Sequence, residues 1–293
     1  MTKTKYMFNK VAICGMGVMG ASLGYDLLNK NIAKEVYGFI RKPETGEKII
    51  SLKLATDAGN DPSKAFSDAD MIVLAVPTGV VSEQLKLLLP FVKKHTIITD
   101  LCSVKQKVVT ESEKILKGKA DFVGSHPMTG TEKFGFSNFI KELYKNATCI
   151  VTPTKNTSLS ASEKTIKMWQ ILGSNVYKMT PGEHDIGASL ISHLPHVVSN
   201  VLMASIWSEK EKIPGLFNMS AGSFRDMTRI VESSPELWAD IFLNNKKEVL
   251  NSIKVFQKKL DLFTQNLKHE NVSDILNYLN NTNKSKKYIN AKI

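Results

Sequence analysis

At 293 residues the chain is long enough to bury a sizeable core and is expected to hold two domains. Hydrophobic residues at 42% and charged residues at 23% lie near globular averages, which excludes a disordered or fibrous protein. The formal charge of +11 raises nucleic acid or anionic metabolites as partners, yet ten Lys against four acids fall in residues 246–293, on polar helix positions and in an Asn/Lys-rich tail after Leu279, where solvated faces and a disordered end account for them.

In chain order, Val11-Ala12-Ile13-Cys14 reads as a strand, Gly15-Met16-Gly17-Val18-Met19-Gly20 as a glycine turn, and Ala21 to Leu28 as an amphipathic helix. Gly15 allows a tight turn, Gly17 lets backbone approach a pyrophosphate, and Gly20 permits close packing, with the anion on unpaired helix N–H groups. A second strand, Glu35 to Ile40, ends about 20 residues on, where a dinucleotide fold reads the ribose. An acidic residue is expected there for NAD. This chain has Ile40-Arg41-Lys42 instead, two cations suited to a 2′-phosphate or, alternatively, a solvated pair.

Asp70 to Val76 is a continuous apolar run, as for a strand buried on both faces, and Pro77 stops it. A helix from Val80 to Leu89, a strand from Thr96 to Asp100, a helix from Val104 to Leu116, and strands at Phe122–Gly124 and Ala147–Val151 follow. This alternation implies an α/β doubly wound sheet. The turn cluster Thr152 to Thr157 sets the expected domain limit, giving 1–156 as a dinucleotide-binding domain and 157–293 as a helical one. Beyond it lie one short strand candidate, Asn175 to Met179, a helix from Glu183 to Trp207 kinked at Pro195, and a helix from Pro235 to Leu267 capped by Ser234. Two long apolar-faced helices in so small a domain point to a second copy of the chain as partner.

Among apolar runs, Met71–Val76 and Leu85–Val92 are far short of the ~20 residues that span a bilayer. The basic N-terminus leads into the first strand without a signal region, so a cytoplasmic protein with no membrane partner is expected. Cys14, Cys102 and Cys149 lack C-x-x-C spacing, and neither a disulfide nor a metal site is expected.

His126, in Gly124-Ser125-His126-Pro127-Met128-Thr129-Gly130-Thr131-Glu132, follows a strand at the ligand-binding edge of the sheet, as a structural residue or as an acid–base group with an intrinsic pKa near ~6.5. Ser103 opens a helix and either caps it or reaches the imidazole. His193 and His196 lie three apart without further zinc ligands, and Arg225 and Arg229 lie four apart, one able to clamp a carboxylate.

The glycine turn, Asp100 to Lys105, His126 to Glu132, Ser192 to His196, and Phe224 to Arg229 together resemble, in order and spacing, the prephenate and arogenate dehydrogenase family of tyrosine biosynthesis, from Val11 to about Leu267. The resemblance implies a Rossmann domain, a helical homodimerisation domain, and an active site between them. It further implies His126 as general base, Ser103 orienting it, Arg229 on a substrate carboxylate, and His196, Thr131 and Glu132 in the pocket, with Trp238 as a wall. NADP or NAD is then held by Gly15, Met16, Gly17, Val18, Met19, Gly20, Pro77, Arg41 and Lys42; Ile40-Arg41-Lys42 departs from the acidic residue of NAD users and favours NADP. No fused mutase or regulatory domain is expected. A β-hydroxyacid dehydrogenase is the alternative enzyme, weakened by the lack of a Lys between Glu183 and Trp207. A non-catalytic nucleotide-binding regulator is the third reading.

Overall fold

The computed structural model describes residues 6–131 and 133–291; Glu132, expected in the pocket, lies outside them. The described chain divides into two compact units at the Asn245/Lys246 junction. In the first, β1 (Phe8–Cys14) leads through α1 (Val18–Asn29) to β2 (Ala33–Phe39). Next come α2 (Gly46–Ser51), β3 (Asp57–Gly59), α3 (Pro62–Phe66), β4 (Met71–Leu74) and α4 (Val81–Leu88), then β5 (Ile97–Asp100), α5 (Gln106–Leu116) and β6 (Asp121–Pro127). The elements α2, β3 and α3 were not expected from the sequence, because runs of three to six residues are too short for a period to show.

The strands lie in the order β3-β2-β1-β4-β5-β6, all parallel, so the chain reverses direction across the sheet between β1 and β4. Val11 and Ile13, with Met71 and Val73, pack into a core on one face. Ala12 and Cys14, with Ile72 and Leu74, pack into a core on the other. Strand side chains alternate between faces, so a sheet covered on both sides needs an unbroken apolar run. Each such buried aliphatic contributes roughly 1.5–3 kcal/mol.

After β6 the pattern departs from the purely parallel winding. The segment 128–147 contains a short turn at Phe136–Asn138 but no crossover helix, so β7 (Thr148–Thr152) returns antiparallel to β6. That segment is tied to α1: Ile140 N–H donates to Ser22 Oγ at 2.9 Å, Glu142 N–H to Asp26 Oδ1 at 3.0 Å, and Tyr144 Oη–H to the Met19 carbonyl at 2.6 Å. Then α6 (Leu159–Ile171) leads to β8 (Asn175–Lys178), parallel to β7. The limit expected at residue 156 therefore falls inside the sheet, which ends at Lys178.

From here the unit is helical. α7 (Pro181–Ala188) starts on a capping box in which Thr180 and Glu183 satisfy each other's backbone N–H groups. A π turn over Ser189–His193 precedes α8 (Leu194–Ser208), so the distortion expected at Pro195 takes the form of a widened turn just before the proline, whose missing N–H loosens the ladder there. α9 (Gly222–Thr228) and a tight turn at Arg229–Glu232 lead to α10 (Pro235–Asn244), capped by Ser234 as expected.

The single helix expected over Pro235–Leu267 is broken at Asn245. Its side chain is spent on tertiary contacts, donating to the Asp185 carbonyl at 2.9 Å and meeting His193 Nδ1 at 3.2 Å. In the second unit α11 (Lys246–Lys268) and α12 (Val272–Asn290) form a hairpin with Phe263 and Tyr278 rings 5.4 Å apart. The tail expected to be disordered after Leu279 is helical as far as Asn290.

Pro181–Ser208 has a mean hydropathy of 1.2 and is long enough to cross a membrane on composition alone. Within the first unit it nonetheless buries His184, Asp185 and His193, with Asp185 accepting backbone N–H groups at the start of α5 and His193 meeting the Asn245 side chain.

Candidate active site

The strand ends at the reversal between β1 and β4 open onto a cavity of about 580 Å³. On one side stand Gly17 to Gly20, with Ala75, Val76 and Pro77 beside them. Gly15 has φ +93°, and a Cβ there would lie 2.5 Å from the Ala75 carbonyl oxygen, so only glycine makes this turn. A Cβ on Gly20 would lie 2.0 Å from the Gly15 oxygen, whereas one on Gly17 would meet nothing within 4 Å and would fill open space at the cavity wall. No side chain caps α1 and no acid stands in its first turn. The first N–H groups of α1 and the bare face of Gly17 thus form a cradle that fits the pyrophosphate of a dinucleotide. Gly15 and Met16 lie behind the wall, shaping it. Arg41 and Lys42 are exposed just beyond β2, whose last residue, Phe39, accepts the Gly15 N–H at 3.1 Å.

His126, at the end of β6, lines the same cavity and is 7% exposed. Its neighbours explain its placement. Gly124 leaves room for Thr152, Val109 and the aliphatic stem of Lys105, since a Cβ there would crowd Thr152 Oγ1, lie 2.8 Å from Val109 Cγ2 and lie 3.3 Å from Lys105 Cδ. Ser125 N–H donates to Asp100 Oδ1 at 3.1 Å and its Oγ to the Asp100 carbonyl at 2.6 Å, pinning β6 to β5. Asp100 in turn holds the fully buried Lys105 ammonium. Burial pushes the His126 pKa well below the ordinary imidazole value, and His184, Lys105 and His193 push it the same way. The imidazole is therefore neutral and a proton acceptor at pH 7.

The partner of the imidazole differs from the one expected. His126 Nδ1 lies 2.8 Å from His184 Nε2, whereas Ser103 shares the cavity wall without a hydrogen bond to the ring. Ser103 does not cap α5 either. The helix starts three residues later, at Gln106, and Asp185 accepts the Lys105 and Gln106 N–H groups at 2.7 and 2.9 Å. His184 and Asp185 were read only as part of a helix. Their one sequence signal is a His-Asp pair near the middle of α7, and nothing local places it beside His126.

Thr131 stands on the cavity wall, joined by Lys133 and Phe134 of the same segment and by Glu236, Leu237, Asp240 and Ile241 of α10. Asp240 Oδ1 accepts the Gly79 N–H at 3.0 Å, which fastens α10 to the loop after β4. His196 lies off this wall, stacked on Trp238 at 3.3 Å between ring centroids, and burial lowers its pKa to about 4. Arg229 is exposed in the turn after α9, also off the wall. Among the described residues neither Arg225 nor Arg229 forms an ion pair, and Arg225 has a single long contact, 3.5 Å, to the Ser220 carbonyl.

Residues 23–178 match the family described as prephenate dehydrogenase, nucleotide-binding domain, and residues 180–281 match its dimerization domain. A cyclohexadienyl dehydrogenase of Zymomonas mobilis is 32% identical over 246 residues, 83% of each chain. A prephenate dehydrogenase from A. aeolicus, solved with hydroxyphenyl propionate and NAD+, superposes with a TM-score of 0.89 at 32% identity, covering 96% of this chain and 98% of that one. Synechocystis arogenate dehydrogenase superposes at 0.85 with 29% identity, covering 96% and 99%. With its glycine cradle and its cavity histidine in one continuous site, this chain belongs to the prephenate dehydrogenase family of oxidoreductases.

Proposed function

We propose that this enzyme oxidatively decarboxylates prephenate to 4-hydroxyphenylpyruvate, arogenate to tyrosine, or both, with NADP preferred over NAD. The observation that carries the reading is the single cavity joining the α1 cradle to a neutral, buried His126. A bound nicotinamide would supply the acceptor for a hydride from the hydroxyl-bearing ring carbon. His126 accepts the hydroxyl proton as that hydride leaves, Ser103 and Thr131 face the substrate from the same wall, and as the ring carboxylate departs as carbon dioxide its electron pair makes the ring aromatic and His126 returns the proton to the ring oxygen, giving the phenol. Steady-state formation of reduced nicotinamide with both substrates and both cofactors tests this. Turnover of neither substrate would overturn it.

The preference for NADP rests on Arg41 and Lys42, which follow β2, are exposed and have no ion-pair partner among the described residues. Arg41→Ala is expected to lower kcat/KM with NADP about 10- to 150-fold and leave NAD nearly unchanged, one charge-assisted bond being worth roughly 1.5–3 kcal/mol. Equal efficiency with both cofactors in the wild type refutes the preference.

Arg229 we assign to a substrate carboxylate, since its guanidinium is exposed and forms no ion pair among the described residues. Arg229→Ala should raise the substrate KM by on the order of 30- to 150-fold with cofactor KM unmoved, from ~2–3 kcal/mol of bidentate contact. If Arg225→Ala gives that pattern instead, the two roles are exchanged.

The protein is further proposed to act as a homodimer through its helical part. The family's dimerization domain covers this region, and Ile191 and Leu243 there are 73% and 72% exposed in the single chain.

A further inference from the structure

The hydrogen bonds at His126 continue away from the cavity. Its Nδ1 lies 2.8 Å from His184 Nε2, and His184 Nδ1 lies 2.7 Å from Asp185 Oδ1. The two rings meet edge to face, 63° apart. Asp185 Oδ1 also accepts the Lys105 N–H, and Oδ2 accepts the Gln106 N–H, so the carboxylate is fixed by the start of α5. All three residues of the chain are buried.

This order of atoms fixes the protons. A carboxylate can only accept, so His184 carries its hydrogen on Nδ1 and, being neutral, presents a bare Nε2. Only a donor can face that nitrogen at 2.8 Å, so His126 carries its hydrogen on Nδ1 as well. Its Nε2 is then the lone pair left for chemistry.

We infer that His184 and Asp185 are positioning residues that lock His126 in the Nδ1–H tautomer and receive a proton from it during the reaction, an inference that rests on the dehydrogenase reading above. When a substrate hydroxyl proton arrives at His126 Nε2, the Nδ1 proton crosses to His184 Nε2. His126 is then neutral again, and the positive charge sits on His184, 2.7 Å from the Asp185 carboxylate. One proton enters, one crosses, and no electron pair leaves the rings. The charge is better placed there: burial and the Lys105 ammonium oppose a charge on either ring, but on His184 the Asp185 and Asp100 carboxylates favour it, whereas every neighbour acting on His126 pushes the other way. A buried Asp that holds a catalytic His in one tautomer is the logic of the serine-protease triad, where carboxamide replacement costs about 10⁴ in kcat through the wrong tautomer.

The test is nitrogen NMR of the full-length protein with ¹⁵N-labelled histidine at neutral pH, with signals identified by their loss in His126→Asn and His184→Phe. In the wild type both His126 and His184 are expected to be protonated on Nδ1. In Asp185→Asn the carboxamide oxygen is expected at the Oδ1 position, where it keeps both the Lys105 N–H and the His184 Nδ1–H, so the tautomers stay while the negative charge beside His184 is lost. There kcat should fall on the order of 10²- to 10³-fold with both KM values within about twofold. A purely structural role for Asp185 would not lower kcat separately from KM. His184→Phe, which keeps the ring volume, should lower kcat about 10- to 100-fold and decides the matter if Asp185→Asn does not fold. Wild-type His126 protonated on Nε2, or full kcat in either variant, overturns the relay. The spectrum needs no turnover: the expected tautomers in a protein inactive on prephenate and arogenate would sink the dehydrogenase reading and leave the hydrogen-bonded chain standing.

Discussion

His126→Asn is expected to lower kcat by on the order of 10² to 10⁴, the range a general base contributes, while the fold and NADP affinity survive. Asn retains a polar group beside His184 but cannot take a proton. The pH dependence follows from the direction of the pKa shift. Burial is the largest cause, and the neighbouring His184, Lys105 and His193 add to it, so His126 stays neutral well below pH 6.5. A base is inactive when protonated. The acid limb of wild-type kcat/KM should therefore lie clearly below ~6.5, more acidic than the free imidazole value expected from sequence. Near-normal turnover in the variant, or the same acid limb, moves the base to another group. His193, with its pKa lowered to about 4 chiefly by burial, is the next candidate.

The second large effect is on stability. Lys105 and Asp100 are an ion pair with both side chains fully buried, and Asp100 also accepts the Ser125 and Cys102 N–H groups, each at 3.1 Å. Lys105→Met keeps the stem volume beside Gly124 but leaves a buried carboxylate without its cation, which costs about 3–5 kcal/mol. For a protein of this size that corresponds to a Tm lowered by on the order of 10 °C. Adding Asp100→Asn should recover part of the loss, because the stranded charge is gone while an acceptor remains for one of the two N–H groups. Urea and thermal unfolding of the three variants check this. A loss below ~1 kcal/mol in the single variant is incompatible with a buried pair.

What was legible in the sequence was local. The turn from β1 into α1 could be read because glycine, strand and helix follow one another within a few residues, and His126 because it ends a strand. The members that act on His126 from elsewhere could not. His184 meets it across 58 positions, and Asp185 reaches Lys105 across 80. No period or motif encodes such a meeting; it exists only once α7 packs on the start of α5. The break at Asn245 was hidden for the same reason, since its side chain answers Asp185 and His193 rather than its own helix. The antiparallel return of β7 was hidden because a long loop without a helix gives no pattern to read. Arg229 and His196 were legible as residue types, but their place off the cavity wall was not.

Arg41 and Lys42 and the surroundings of His126 face selection on unequal terms. The two cations are exposed, and surface changes of that kind shift stability by about 0.5 kcal/mol or less, so on the role proposed for them cofactor choice can drift in single steps at almost no cost to folding. Asp185 cannot drift in that way. It begins a helix with the same oxygens that orient an imidazole, so a descendant that had lost the histidine of the cavity would still be held to this carboxylate by the need to fold.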